Sequence, residues 1–240
     1  MTPVEAHDPT ASATTYPDPP PPQTRLSRNE IETLCLKAAR GAGLSWGLAE
    51  EAGFAAGWLA ARGVDGAAVM LDHLTTGADG GKAITVADRI WSAQSGGAVC
   101  PILCGAALDD HAGLKDGIGA GPLTVAALRH PVLAIPFLAR MAQALNAALE
   151  VTWDNESAIV SAAGGIDAAS LRALSDLRVT RLVVARSARL ATEMPPPVAG
   201  DPPAVSGRTL AGLNALAMHT TVPASEQSRR GAGASADDND

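Results

Sequence analysis

A chain of 240 residues is long enough for one core of ordinary size, and its net charge of −7 with scattered basic residues argues against a nucleic-acid partner. No apolar run approaches the length needed to cross a bilayer, and the N-terminus lacks the basic and apolar regions of a signal peptide. Three cysteines in an Ala-rich chain are not a disulfide framework, so a soluble protein of a reducing cytoplasm is expected, with no membrane partner.

Residues 1–24 read as a disordered leader, because the proline run from Tyr16 to Pro22 can join neither a ladder nor a helix. Structure is expected from Leu26 onward. Ser27 and Glu30 form an S-x-x-E capping box, with Leu26 placed to staple Ile31. Ile31, Leu34, Cys35, Ala38 and Ala39 then repeat at helical spacing up to Arg40 and the glycines Gly41 and Gly43. A second helix is expected over about Leu48–Arg62, ended by Gly63. Its small residues Ala49, Ala52, Gly53, Ala56, Gly57 and Ala60 predict close packing on a neighbour. Asp65 can cap a third helix carrying Met70, Leu71 and Leu74.

Thr75–Lys82 is Gly-rich but lacks the G-x-x-x-x-G-K-[ST] spacing of a phosphate loop, so a surface turn is expected. Ile84–Trp91 reads as a short helix, and Ala98–Leu108 as a buried strand whose Pro101 places it at an edge or bulge. Cys100, Cys104, Asp110 and His111 raise a metal site, but a second ligand pair is missing and buried thiols are the expectation. Leu123–Leu128 predicts a strand broken by His130-Pro131, with His130 in a structural role. Val132–Leu149 predicts a helix kinked or restarted at Pro136.

Glu150–Trp153 and Ala158–Ser161 form a hairpin around Asp154-Asn155-Glu156, Asp167 caps a helix over Ala168–Leu177, and Thr180–Ala185 is a final strand. The proline-rich stretch 193–206 reads as a linker, and Leu210–His219 as one more helix. The fold class expected is α/β (mixed α+β), a two-layered domain with the N-terminal helical hairpin packed on a small mixed sheet. It spans residues 25–240, with a terminal helix and polar segment over 207–240.

The last residues read by composition as a tail, yet their types can build a site. Ser225 and Ser228 offer hydroxyls, Glu226 a carboxylate and Arg229 a bidentate anion donor. The blocks LSRNEIETLCLKAARGAGLSWGLAEEAGFAAGWLAARG, CPILCG and TTVPASEQSRRGAGASADDND resemble a bacterial family defined only as a domain of unknown function (domain of unknown function 3726). The resemblance spans about Leu26–Asp240. It brings no activity, cofactor or catalytic residue with it, but it implies that the terminal segment belongs to the domain and folds back onto it. The pattern AGL…AEEA…LAARGVDG is also similar to the helical opening of malate/L-lactate dehydrogenase-type oxidoreductases. Ala67-Ala68-Val69 stands where that group has Ser-His-Gly, and no dinucleotide fingerprint is present, so that activity is not expected.

Two functions follow as expectations. One is a small-molecule-binding enzyme, or an accessory subunit of one, that holds a small anionic ligand through Ser225, Glu226, Ser228 and Arg229. Cys100 and His111 are then its candidate catalytic groups. The alternative is a non-catalytic module that docks a partner protein, or a second copy of itself, through Ala/Gly-rich helices. No cofactor can be read from the residues.

Overall fold

The structure is a computed structural model that describes residues 22–77, 83–94, 96–188 and 200–220. The chain begins with a two-residue strand β1 (Gln23–Thr24), followed by α1 (Arg28–Gly41), α2 (Trp46–Ala60) and α3 (Gly66–Gly77). A hairpin of β2 (Ile84–Ala87) and β3 (Ile90–Ala93) leads into α4 (Pro101–His111), β4 (Leu123–Arg129) and, after a 3₁₀ turn at Pro131–Ala134, α5 (Ile135–Ala144). Then come β5 (Leu149–Trp153), β6 (Glu156–Val160), α6 (Ala168–Ser175), β7 (Val179–Arg186), β8 (Val205–Ser206) and α7 (Gly207–Met218). The architecture is mixed α/β. One sheet runs in the order β2-β3-β4-β7-β5-β6, parallel only between β3 and β4, and a small ladder joins β1 to β8.

The helical start is built as its residues dictate. The Ser27 hydroxyl accepts from the Glu30 N–H at 3.3 Å and the Glu30 carboxylate accepts from the Ser27 N–H at 2.7 Å, closing the capping box. Ser45 caps α2, and the Asp65 carboxylate accepts from the Ala68 N–H at 3.0 Å at the start of α3. The small residues of α2 are consumed inside the chain. Ala49, Ala52, Ala55, Ala56 and Ala60 are fully buried, and a Cβ added at Gly53 would stand 2.6 Å from the Glu32 carbonyl oxygen of α1. Gly66 meets the Ala56 carbonyl in the same way, at 2.2 Å, which seats α3 on α2. The hairpin of α1 and α2 reaches the sheet side of the molecule through α4 and α5. There Arg140 of α5 donates to Asp109 of α4 at 2.5 Å and to Glu51 of α2 at 3.1 Å.

Along β7 buried residues alternate with exposed or half-buried ones, and along β5 with half-buried ones, so one face of the sheet is more fully covered than the other. Leu123, Val184, Val151 and Ala158 form one continuous buried row across four strands. The hairpin expected at Asp154-Asn155 is present, as are the strands at Leu123 and Thr180 and the helix capped by Asp167. Pro136 lies in the first turn of α5, so it restarts that helix after the 3₁₀ turn. The helix ends at Ala144, short of the expected Leu149, which opens β5.

Two expected elements are different. The strand over 98–108 is confined to one residue, Val99, which bridges Leu128; from Pro101 onward the chain is the helix α4. Pro101 occupies the first helical position, where its missing N–H costs nothing, and Pro101, Cys104, Gly105 and Leu108 bury one helical stripe. Gly105 packs so closely that a Cβ there would meet the Phe137 ring at 2.2 Å. The helix expected over 84–91 is instead the β2–β3 hairpin, turned by Asp88 and Arg89 at positive φ of 49° and 64°. Asp is a usual first residue of such a turn, but Arg is not a usual second, where Gly is preferred. Arg89 is held there by its own guanidinium, which donates to the carbonyls of Asp116 at 2.8 Å, Pro122 at 2.9 Å and Gly117 at 3.0 Å, and also to that of Gly121.

The leader over 1–24 lies outside the described residues apart from 22–24, where β1 pairs with β8, and the terminal segment 221–240 lies outside them altogether. Of the 193–206 linker, the described part begins at Gly200, whose N–H donates to the Ala61 carbonyl at 2.8 Å.

Two outcomes follow from this packing. Gly53→Ala should cost about 1–3 kcal/mol, read as a lower urea midpoint at unchanged slope, because a backbone carbonyl cannot move aside as a side chain can. Arg89→Ala should cost about 2 kcal/mol by removing the carbonyl clamp while keeping the strained φ, and Arg89→Gly should recover about 1 kcal/mol of that in thermal unfolding. Equal midpoints for the two Arg89 variants would show that the turn carries no strain.

Candidate functional site

The sheet register creates the site. Arg129 at the end of β4 pairs with Val179 at the start of β7, and the His130 N–H donates to the Arg178 carbonyl at 2.8 Å. Alpha helix α3 runs past this corner and presents Asp72 and Thr76, one turn apart. Between them opens a cleft of about 370 Å³ lined by Asp72, Thr76, Arg129, His130, Arg178 and Val179. A somewhat larger groove of about 420 Å³ lies between α1 and α7. Its walls are largely apolar, and its carboxylate, Glu30, is already committed to the cap of α1.

His130 is the unusual residue of the cleft. It sits at φ 41° and ψ 65°, a left-handed conformation held immediately before Pro131. For a non-Gly residue this stores on the order of 1–3 kcal/mol, which the surrounding ladder must oppose. Its side chain is only 2% exposed, and its Nε2 stands 3.5 Å from Asp72 Oδ2. The same carboxylate oxygen is held by the Arg178 guanidinium. Arg129 donates to the Thr76 carbonyl at 2.7 Å near the end of α3, and no carboxylate pairs with it among the described residues.

Behind the cleft lies a second pair. Val99, by bridging Leu128, carries Cys100 to this corner, and the Cys100 Sγ is 3.5 Å from Nε2 of the fully buried His73. The His73 and His130 rings meet edge to face with centroids 5.9 Å apart, and the Nδ1 atom of each is buried without a hydrogen-bond partner among the described residues. Burial lowers the His73 pKa to about 3, with the His130 and Arg129 charges acting in the same direction. Burial, then Arg129, lowers that of His130 too. Burial raises the Cys100 thiol, opposed by the N–H groups of Leu103 and Ile102 at the start of α4 and by Arg129. At neutral pH the pair is therefore a protonated thiol beside a neutral imidazole, not an activated thiolate.

Cys100 and His111 stand at opposite ends of α4, about 16 Å apart along its axis. His111 contacts Asp116, Nε2 to Oδ1 at 3.6 Å, and packs on the Trp91 ring at a centroid distance of 5.5 Å. Cys104 is fully buried one turn after Cys100, and Asp110 is exposed at the far end, so those four residues do not converge. Among the described residues no group of three or more His, Cys, Asp or Glu side chains is placed to hold a metal ion. Ser225, Glu226, Ser228 and Arg229 lie outside the described residues.

Sequence reasoning missed His73, Asp72, Arg129 and Arg178. The available signals were faint: an Asp-His step inside an otherwise apolar helix, and an Arg-His-Pro break at a strand end.

Burying two neutral histidines makes stability pH-dependent. Unfolding returns His73 to its ordinary value of 6.5, so the unfolded chain binds the proton first as the pH falls. Stability should be full above that value and decline by about 1.4 kcal/mol per pH unit on the way down toward the folded value. His73→Phe keeps the ring volume and should flatten most of this slope in urea unfolding between pH 7 and pH 5 (roughly the upper part of the window). Parallel slopes for the two proteins would assign the effect to other groups.

No curated protein and no solved structure matches the chain significantly. The three N-terminal helices, the β2–β3 hairpin and the approach to α4 do have a counterpart: over residues 26–100 the chain matches the model of the family described as "Protein of unknown function (DUF3726)".

Proposed function

We propose that the cleft between α3, the end of β4 and the start of β7 binds a small anionic molecule, anchored by Arg129. The observation that carries this reading is a guanidinium with no carboxylate of its own among the described residues, beside a buried histidine held on strained backbone. Arginine presents a planar fork that matches a carboxylate, and the volume of about 370 Å³ is that of a small-ligand site. His130 lies in the wall of the cleft with its Nε2 3.5 Å from Asp72 Oδ2. Strain of this kind collects where a side chain must be aimed. The helix-docking alternative is less well supported, because the Ala and Gly residues of α2 are already packed inside the chain. A cytoplasmic setting fits free Cys35, Cys100 and Cys104, two of them fully buried.

The reading is tested by titrating the ¹⁵N-labelled full chain with propionate. Amide shifts should move at residues 72–76, 129–131 and 178–179, and Arg129→Gln should weaken binding about tenfold or more. Unchanged affinity in that variant, or shifts confined to other surfaces, would remove the assignment.

A further inference from the structure

The cleft holds three formal charges on its walls, and their arrangement specifies more than the sign of the ligand. Asp72 Oδ2 is shared between the Arg178 guanidinium and His130 Nε2, the latter at 3.5 Å. One carboxylate thus lies against two of the three groups that an incoming anion would use, and among the described residues Arg129 has no carboxylate. Asp72, Arg129 and Arg178 sum to a single positive charge while His130 stays neutral, which burial favours.

The geometry points to Asp72 as the residue that sets ligand charge: it makes the cleft a site for singly charged carboxylates and turns away sulfate, phosphate and other dianions. This rests on the anion-binding reading above. A dianion would have to lie beside the Asp72 carboxylate or displace it from Arg178, and like charges a few ångströms apart in a partly enclosed site repel strongly. A monocarboxylate meets the Arg129 guanidinium and leaves the Asp72–Arg178–His130 contacts intact. Asp72 is about one-third exposed, so the discrimination is moderated by solvent, and about tenfold is the expected scale.

The experiment compares propionate with sulfate on the full chain, by the same amide-shift titration, in wild type, Asp72→Asn, Asp72→Ser and Arg129→Gln. Wild type should bind propionate more tightly than sulfate. Asp72→Asn keeps the side-chain shape and should improve sulfate affinity about tenfold relative to propionate, and Asp72→Ser reads the same shift should the amide fail to fold. Wild type preferring sulfate, or an unchanged ratio in a folded Asp72 variant, overturns the role of Asp72 while loss of propionate binding in Arg129→Gln keeps the anion site. Propionate binding that survives Arg129→Gln overturns the site itself, and the role of Asp72 with it.

Discussion

The N-terminal half depends on backbone meeting backbone. Aromatic residues are only 3% of the chain, so helices cannot be held apart by large side chains and must touch along lines of Gly and Ala. Gly53 lets α2 lie against the Glu32 carbonyl of α1, and Gly66 lets the start of α3 lie against Ala56 of α2. Those contacts fix where α3 points, and Asp72, His73 and Thr76 ride on α3 into the corner made by β4 and β7. The site is therefore a consequence of close helix packing at Gly53 and Gly66, earlier in the chain. Arg140, shared by Glu51 and Asp109, ties the same helical layer to α4 and α5, so the Asp109 end of α4 is fixed against the same frame.

Around that corner the chain holds several unfavourable arrangements at once. Two histidines are buried neutral, each with a ring nitrogen that has no partner among the described residues, and His130 and Arg89 both occupy left-handed backbone. For Arg89 the compensation is visible, since its guanidinium gathers the carbonyls of the loop before β4 and so closes that loop onto the hairpin. For His130 the ladder supplies it: the His130 N–H and its carbonyl are both used, by Arg178 and Leu133, so the strained residue cannot relax without breaking the β4–β7 register. The first strain closes a loop. The second sets His130 in the wall of the cleft.

How much of this was legible depended on range. The capping box at Ser27, the Gly/Ala stripe of α2, the Asp167 cap and the β5–β6 hairpin were readable because each is decided by residues a few positions apart. Ala98–Leu108 misled because a short apolar run fits a buried strand or a buried helix, and Pro101 is as natural at a helix start as at a sheet edge. The β2–β3 turn misled because Asp88-Arg89 is stabilised by carbonyls some thirty residues away. The cleft was beyond local reading altogether. Asp72 on α3, Arg129 at the end of β4 and Arg178 just before β7 meet only once the β4–β7 register exists.

The family match adds a constraint on how that site is divided. Residues 26–100 include Asp72, His73, Thr76 and Cys100, whereas Arg129, His130 and Arg178 lie beyond the matched stretch. At this corner the matched part contributes a carboxylate, a neutral imidazole and a thiol, which together offer nothing to attract an anion. Among the described residues, positive charge enters the cleft with Arg129 and Arg178 of the second half. In a chain of net charge −7, that local reversal of sign cannot follow from overall composition; it requires the two guanidiniums to be delivered to the Asp72 face of α3 by the pairing of β4 with β7. The unit that could bind is thus the corner where the two halves meet, and neither half possesses it separately.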